Sequence, residues 1–162
     1  MDIRIGQGID CHKFEYGRKL ILGGVEFDSP FGLKGHSDAD ALLHAITDAI
    51  LGAIGENDIG FHFPDTNPEF KNANSEIFLK KAIALAREKG FEISNIDATI
   101  LCEIPKINPR REEIKENLAS ILEIEKNRIN VKATTMEKMG FIGRKEGICA
   151  LAIVLLISNY SS

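Results

Sequence analysis

Four histidines occur in the chain, His12, His36, His44 and His62, and three of them neighbour other groups able to bind metal or phosphate. In "GIDCH", residues 8–12, Asp10 and His12 stand two apart. Alternate residues of a strand share a face. In an extended segment these two therefore aim at one point, and Cys11 aims away. His44 lies in a helical run and supplies a third group. A catalytic zinc takes three protein ligands and keeps one position open, which Asp10, His12 and His44 satisfy in number. Asp48 follows His44 by four residues, on the same helix face. A carboxylate behind a ligating imidazole fixes its tautomer, so Asp48 is expected behind His44. The competing reading is a part-buried helix histidine and a capping pair at Asp10 and His12.

A second group of residues suits phosphate. "GHSDAD" (35–40) places His36 and Ser37 just before a helix start, where free N–H groups favour anions. Asp38 and Asp40 oppose that, and Ser and Asp are also ordinary helix caps. "KATTMEK" (132–138) offers a lysine, two hydroxyls and Glu137, a ligand for a hard cation. Thr134 with Glu137 also spells a capping box. "GFIGRKEG" (140–147) adds Arg144, whose fork can meet a diphosphate, and "PK" at 105–106 places a lysine at a strand end. A transition-metal site, a hard-cation carboxylate and strand-end hydroxyls suit phosphoryl chemistry. The chain has no GxxxxGK[ST], no Rossmann glycine spacing and no GxSxG elbow. P-loop and acyl-transfer chemistry therefore have no support.

The elements that must position these groups are legible from periodicity. Residues 2–10 read as a strand and "KLILGGVEF" (19–27) as a second, broken at its glycine pair. The run 38–55 is a helix, with Leu42, Leu43, Ile46, Ile50 and Ile54 recurring at three and four. Residues 57–70 combine two prolines with three phenylalanines, which predicts a packed, specific loop. Helices are expected at 75–90 and 108–124, strands within 91–104 and at 129–135 and 148–157, and a short helical piece after 135. This order implies an α+β domain, its helices packed on one face of a mixed four-stranded β-sheet.

With 162 residues, the chain is expected to form a single domain over 1–162. Its net charge is −4, with 44% apolar and 27% charged residues. No Lys/Arg cluster stands alone, so no nucleic-acid partner is expected. The start carries no signal-peptide pattern. The longest apolar run, 148–157, is too short to span a bilayer, so no membrane partner is expected. Cys11, Cys102 and Cys149 are far apart and odd in number. They indicate neither a zinc knuckle nor a disulfide framework, and three lone cysteines fit the cytoplasm.

Taken together, "IGQGIDCH", "ILGGV", "GHSDADALLHAITDAILGA", "DIGFHFPDT", the "PK" at 105–106 and "VKATTMEKMGFIGRKEGI" resemble the 2-C-methyl-D-erythritol 2,4-cyclodiphosphate synthases of the non-mevalonate isoprenoid pathway. The resemblance covers essentially the whole chain. It implies that the 2-phosphate of 4-diphosphocytidyl-2-C-methyl-D-erythritol 2-phosphate attacks the β-phosphorus, closing a cyclic diphosphate and releasing CMP. The enzyme would be a phosphorus–oxygen lyase needing no protein nucleophile. Asp10, His12 and His44 resemble the ligands of one Zn2+ per subunit, and Glu137 the ligand of a Mg2+ or Mn2+ between the phosphates. His36 and Thr135 resemble the pair that polarises and holds the phosphates, with Ser37 beside His36. Asp58, Ile59, Gly60, Phe63, Pro64 and Asp65, followed by Thr66 and Asn67, match the erythritol-binding loop. Cys102, Glu103, Ile104, Pro105, Lys106, Ile107 and Asn108, with Thr134, match the cytidine pocket, and Met136 counts among the substrate-binding residues. Phe141 and Arg144 match positions lining the substrate site and the central axis. Members of this family are homotrimers with active sites between subunits and a central cavity, near Arg144 and Glu146, that holds isoprenoid diphosphates.

Departures from the family pattern are small. Gln7 stands where histidine is common, "CEIPKIN" is unusual around the cytidine pocket, and Ala39 stands where glycine is frequent, which a helix tolerates. Two other classes remain open: a nucleotide- or isoprenoid-phosphate-binding protein without turnover, and a metal-dependent nucleotide-diphosphate phosphohydrolase.

Overall fold

The computed structural model describes residues 1–158. Strand β1, Asp2–Tyr16, crosses the whole sheet. After it come β2 (Leu20–Leu22), β3 (Val25–Phe27) and β4 (Phe31–Leu33). Helix α1 spans Ala41–Ala53, α2 is one turn at Ile59–His62, and α3 spans Glu76–Glu88. Then come β5 (Glu92–Leu101), α4 (Arg111–Leu122), β6 (Ile129–Thr134), the one-turn α5 (Gly140–Gly143) and β7 (Gly147–Ser158).

The main sheet is mixed and has five strands, in the order β4-β1-β7-β5-β6, not four. The additional strand is β4, three residues long, which lies antiparallel to Phe14–Tyr16. Three residues between turn-forming neighbours carry too little periodicity to stand out. The glycine pair at 23–24 is not a bulge within a strand. It is the turn of a separate β2–β3 hairpin, and both glycines have positive φ, 62° and 76°, as such a turn demands. Helix α4 is preceded by a 3-10 turn at Asn108–Arg110.

Helix α1 is buried almost all round, as a helix apolar on every side must be. It lies between the sheet and α3, packing on β1 and β7. Its close approach is set by two glycines on the inner face of β1. A Cβ at Gly6 would overlap the carbonyl of Ala49, and one at Gly8 the carbonyl of Ala45. The opposite face of the sheet carries no helix and is mixed, with Ile3, Ile5, Ile9, Leu151 and Ile153 exposed beside Gln7, Asp97, Thr99 and Lys132. Among the described residues no helix is long and apolar enough to cross a membrane.

Two expectations about small residues are corrected. Cys11 and Cys149 are not lone thiols: they are directly opposed on β1 and β7, their Cα atoms 4.1 Å apart, and form a disulfide. A separation of 138 residues leaves no local motif from which to read it, and the compartment argument from unpaired cysteines lapses. Ala39 does not sit in a helix. It precedes the N-cap Asp40 with φ 57°, in the left-handed region that favours glycine.

Candidate metal centre and its surroundings

Asp10 and His12 are alternate residues of β1 and share the face turned to α1, while Cys11 points to the other face, as the strand period requires. His44 stands in the first turn of α1 and meets them there. The three side chains each place a ligand atom within 4.8 Å of the others. Asp10 Oδ2 lies 2.6 Å from His12 Nε2 and 3.2 Å from His44 Nδ1.

Both imidazoles are oriented from behind. His12 Nδ1 is 2.8 Å from the carbonyl of Lys34, which is held in place because Lys34 N–H donates to the Lys13 carbonyl. A carbonyl only accepts, so in the neutral ring Nδ1 carries the proton and Nε2 presents its lone pair. Nε2 is buried and makes no hydrogen bond of acceptable geometry, despite its closeness to Asp10. Burial alone would lower the His12 pKa, but the Asp10 carboxylate outweighs it and raises it. Burial likewise opposes ionisation of Asp10, yet the two imidazoles hold its carboxyl below the usual range. An orphaned buried nitrogen, a second imidazole and a carboxylate converging on one point fit a tetrahedral zinc with one position left for substrate.

Asp48 does not stand behind His44. His44 turns Nδ1 to Asp10 and Nε2 to Ser75 Oγ, 2.7 Å away. Asp48 lies a turn further along α1, where its Oδ1 accepts the Ile59 N–H at 2.8 Å. Burial pushes its carboxyl above the usual range, against that bond. Helical spacing places two residues on one face, but here the imidazole swings toward the start of α3.

The loop after α1 is packed, as its phenylalanines predict. Asp58 caps α2 by accepting from Phe61 N–H. The Phe63 ring is buried against Phe70 and Phe78, with centroids 5.5 and 4.5 Å away. His36 is stapled to this loop: its Nε2 lies 3.1 Å from the Asn67 carbonyl, and its own carbonyl accepts from Asn72 N–H. Ser37 Oγ is 3.3 Å from His44 Nε2. His36 and Ser37 thus border the metal ligands and residues 58–67.

The remaining predicted residues gather elsewhere. Cys102 N–H donates to the Thr134 carbonyl, and burial pushes the Cys102 thiol up to about 11, so it is protonated and no nucleophile. The Ile104–Pro105 peptide is cis. Glu103 Oε1 accepts from Met136 N–H (3.0 Å) and Lys138 N–H (3.3 Å), joining residues 102–108 to 134–138. Thr135 Oγ1 accepts from Glu137 N–H. Phe141 and Arg144 are exposed, with Arg144 Nε 2.6 Å from Glu146 Oε2. Phe141 and Glu146 line a cavity of about 590 Å³ shared with Cys11 and His12. Ladder register aligns Thr134 with Leu101, Leu101 with Cys149, and Cys149 with Cys11. Both clusters therefore lie at one end of the sheet. Three strand spacings separate them, roughly 14 Å.

Residues 3–157 match the model of the YgbB family. The chain belongs to the YgbB family. It is 55% identical over 153 residues to the 2-C-methyl-D-erythritol 2,4-cyclodiphosphate synthase of Geobacillus sp. strain WCH70, covering 94% of this chain and 97% of that one. Its fold matches the bifunctional IspDF of Campylobacter jejuni with TM-score 0.93 and 49% identity, over 97% of this chain and 42% of that one. It also matches the CDP complex of Plasmodium falciparum IspF, with TM-score 0.87, 40% identity and coverage of 98% and 97%.

Several side chains that shape this YgbB-family site escaped the sequence reading. Ser75 touches His44, and Asp38 touches Ser75. Asp40 accepts from the N–H groups of Gly23, Gly24 and Leu43. Arg18 donates to the carbonyls of Gly35 and Ser37 at 2.6 Å each. Ser75 reads as an ordinary cap at a helix start, and no spacing signal points its hydroxyl away from its own helix. Asp38 and Asp40 were visible in "HSDAD" as charges opposing an anion and as helix caps; Asp40 is indeed the N-cap of α1, while its bonds to the β2–β3 turn were not legible.

Proposed function

We propose that this YgbB-family chain is a 2-C-methyl-D-erythritol 2,4-cyclodiphosphate synthase. It converts 4-diphosphocytidyl-2-C-methyl-D-erythritol 2-phosphate to the cyclic diphosphate and CMP. An oxygen of the 2-phosphate bonds to the β-phosphorus, and the bond from that phosphorus to the oxygen bridging to CMP breaks. The observation that carries this reading is the part-buried convergence of Asp10, His12 and His44 in a chain so similar to enzymes of that name.

Asp10, His12 and His44 would hold one Zn2+ per subunit, and Glu137 a Mg2+ or Mn2+. Such ions, when bound, neutralise phosphate oxygens. The protein's own part is orientation and exclusion of water. His36, fixed to Asn67, and Thr135 hold the phosphates, with Ser37 beside His36. Asp58, Ile59, Gly60, Phe63, Pro64, Asp65, Thr66 and Asn67 take the erythritol. Cys102 to Asn108, Thr134 and Met136 take the cytidine, and Phe141 and Arg144 line the approach.

We assign a homotrimer with active sites between subunits. Two features support it: the exposed isoleucines on the outer sheet face and the distance between the two clusters within one chain. An isoprenoid diphosphate would sit in the central cavity near Arg144 and Glu146. The chain is read as a single domain working in the cytoplasm, where its nucleotide substrate and CMP are exchanged.

Product analysis tests the reading. CMP with a cyclic diphosphate supports it. CMP with a linear bisphosphate makes the chain a phosphohydrolase, and binding without CMP release makes it a binding protein. His12→Ala is expected to lose zinc and nearly all turnover; full activity without zinc would refute the ligand set.

A further inference from the structure

Two side chains behind the metal ligands carry an inference that the reaction does not require. Ser75 Oγ stands 2.7 Å from His44 Nε2 and is also hydrogen bonded to Asp38 Oδ1. Asp38 accepts two backbone N–H groups besides, Ser75 N on Oδ2 (3.0 Å) and Asp40 N on Oδ1 (3.1 Å). Asp38 is thus surrounded by donors and acts as acceptor in every bond. The Ser75 hydroxyl has one proton, and Asp38 takes it. Ser75 Oγ can then only accept from His44, so His44 Nε2 must carry a proton. Nδ1 faces Asp10 Oδ2 at 3.2 Å, a longer contact than the 2.7 Å from Nε2 to Ser75 Oγ, so in a neutral imidazole the pocket holds the proton on Nε2 and leaves the Nδ1 lone pair for an ion. Ser37 Oγ, which accepts from Ala39 N–H, lies farther from the same Nε2, at 3.3 Å, and is the weaker partner beside the 2.7 Å contact to Ser75 Oγ.

We infer that Asp38 and Ser75 are positioning residues that fix the His44 tautomer, and with it the donor atom offered to the metal. Asp38 orients Ser75, Ser75 orients His44, and His44 would offer its lone pair to an ion held with Asp10 and His12. Ser75 is fully buried and His44 nearly so, so water does not substitute for a lost link. His12 reaches the opposite tautomer through the Lys34 carbonyl. The two imidazoles thus present different nitrogens to one point, each set by its own acceptor. Removing such an outer partner typically weakens metal binding about 10- to 100-fold.

The inference rests on Asp10, His12 and His44 being the zinc site, and the test separates the two. Zinc affinity is measured by competition with a chromophoric chelator. The His44 tautomer is read from long-range 1H–15N spectra of the zinc-free protein. Wild type is expected to show Nε2 protonated, with Nδ1 either bare or sharing a proton with Asp10 Oδ2; a bare Nε2 would overturn the relay. Ser75→Ala should bind zinc about 10- to 100-fold more weakly, with a mixed tautomer. Ser75→Thr, which keeps a hydroxyl, should restore both. Asp38→Asn can donate to Ser75, turn its hydroxyl toward His44 and move the ring proton to Nδ1. Wild-type affinity and an unchanged tautomer in Ser75→Ala and Asp38→Asn would overturn the relay. Should Ser75→Ala fail to fold, Asp38→Asn decides alone. Wild-type zinc affinity in His12→Ala would instead overturn the metal site itself.

Discussion

Gly8 on β1 lies against the carbonyl of Ala45 on α1, with no room between them for a Cβ. That contact sets the depth of α1 on the sheet. Ala45 follows His44, and Gly8 is two residues from Asp10 on the same face, so the same contact sets the separation of the candidate metal ligands. Gly8→Ala must push the helix outward or bend the strand. Forcing atoms into a packed interface costs about 3 kcal/mol or more here, because backbone rather than a side chain stands in the way. Denaturant unfolding should show a loss of that size. Whatever folds should bind zinc weakly. A stability within about 0.5 kcal/mol of wild type, the scatter of surface changes, would show that the helix is free to shift.

The Gly8–Ala45 contact also shows what the sequence could reveal. Strand period made Asp10 and His12 neighbours, and helix period gave α1; both follow from local rules. Nothing local said which nitrogen of His44 faces which partner. That depends on Ser75, thirty-one residues away, and on how a long loop brings α3 alongside α1. Asp48 was expected behind His44 because spacing along a helix is legible, whereas the direction of an imidazole is not. The Cys11–Cys149 pairing shares this character, since it depends on register between strands far apart in the chain, whereas β4 was hidden by its length of three residues.

Asp40 joins two parts of the fold that surround the site. Its carboxylate accepts from Leu43 N–H at the start of α1 and from Gly23 and Gly24 N–H in the β2–β3 turn. Burial pushes its pKa up from 3.8 to about 6, against those three N–H bonds. Asp40→Asn places an amide donor against a backbone donor and should cost about 1–3 kcal/mol at pH 7. The pH dependence has a definite sign. As pH falls through about 6, the folded protein takes up a proton at Asp40 before the unfolded chain does, so this group adds stability. Asparagine does not titrate. The stability gap between wild type and variant should widen between pH 7 and pH 4.5 in chemical denaturation; a gap that narrows would contradict the raised value.

Glu103 braces the loop that carries Thr135 and Glu137. Its Oε1 accepts from Met136 and Lys138 N–H. Glu137 and Lys138 are both left-handed, with φ 52° and 64°, a conformation costing non-glycine residues about 1–2 kcal/mol each. The acceptor helps offset that strain. Glu103→Ala should loosen the loop, cost about 1 kcal/mol of stability and lower kcat/KM about 10- to 100-fold. Glu103→Gln keeps an oxygen in place and should stay near wild type. A glutamine variant as impaired as the alanine variant would mean that the charge itself meets the substrate.

Ile153 projects from β7 on the sheet face away from the helices, paired with Gln7 and Asp97 and diagonal to Ile5 and Ile9. Exposed isoleucines and leucines on one sheet face, rimmed by polar side chains, mark an interface. The metal ligands and the Thr134–Glu137 segment lie at one end of this sheet, separated by three strand spacings. A neighbouring copy docked on this face would let one subunit's metal centre meet the other's nucleotide loop. Ile153→Glu places a charge in the middle of that face, and burying an unpaired charge is strongly unfavourable. Light scattering should then report monomers near 17.9 kDa in place of an assembly three times that mass. Turnover should collapse with the assembly, while each monomer keeps its zinc, because Asp10, His12 and His44 all belong to one chain. An active monomer would sink both the trimer and the shared site, whereas an inactive, zinc-loaded monomer is the expected outcome.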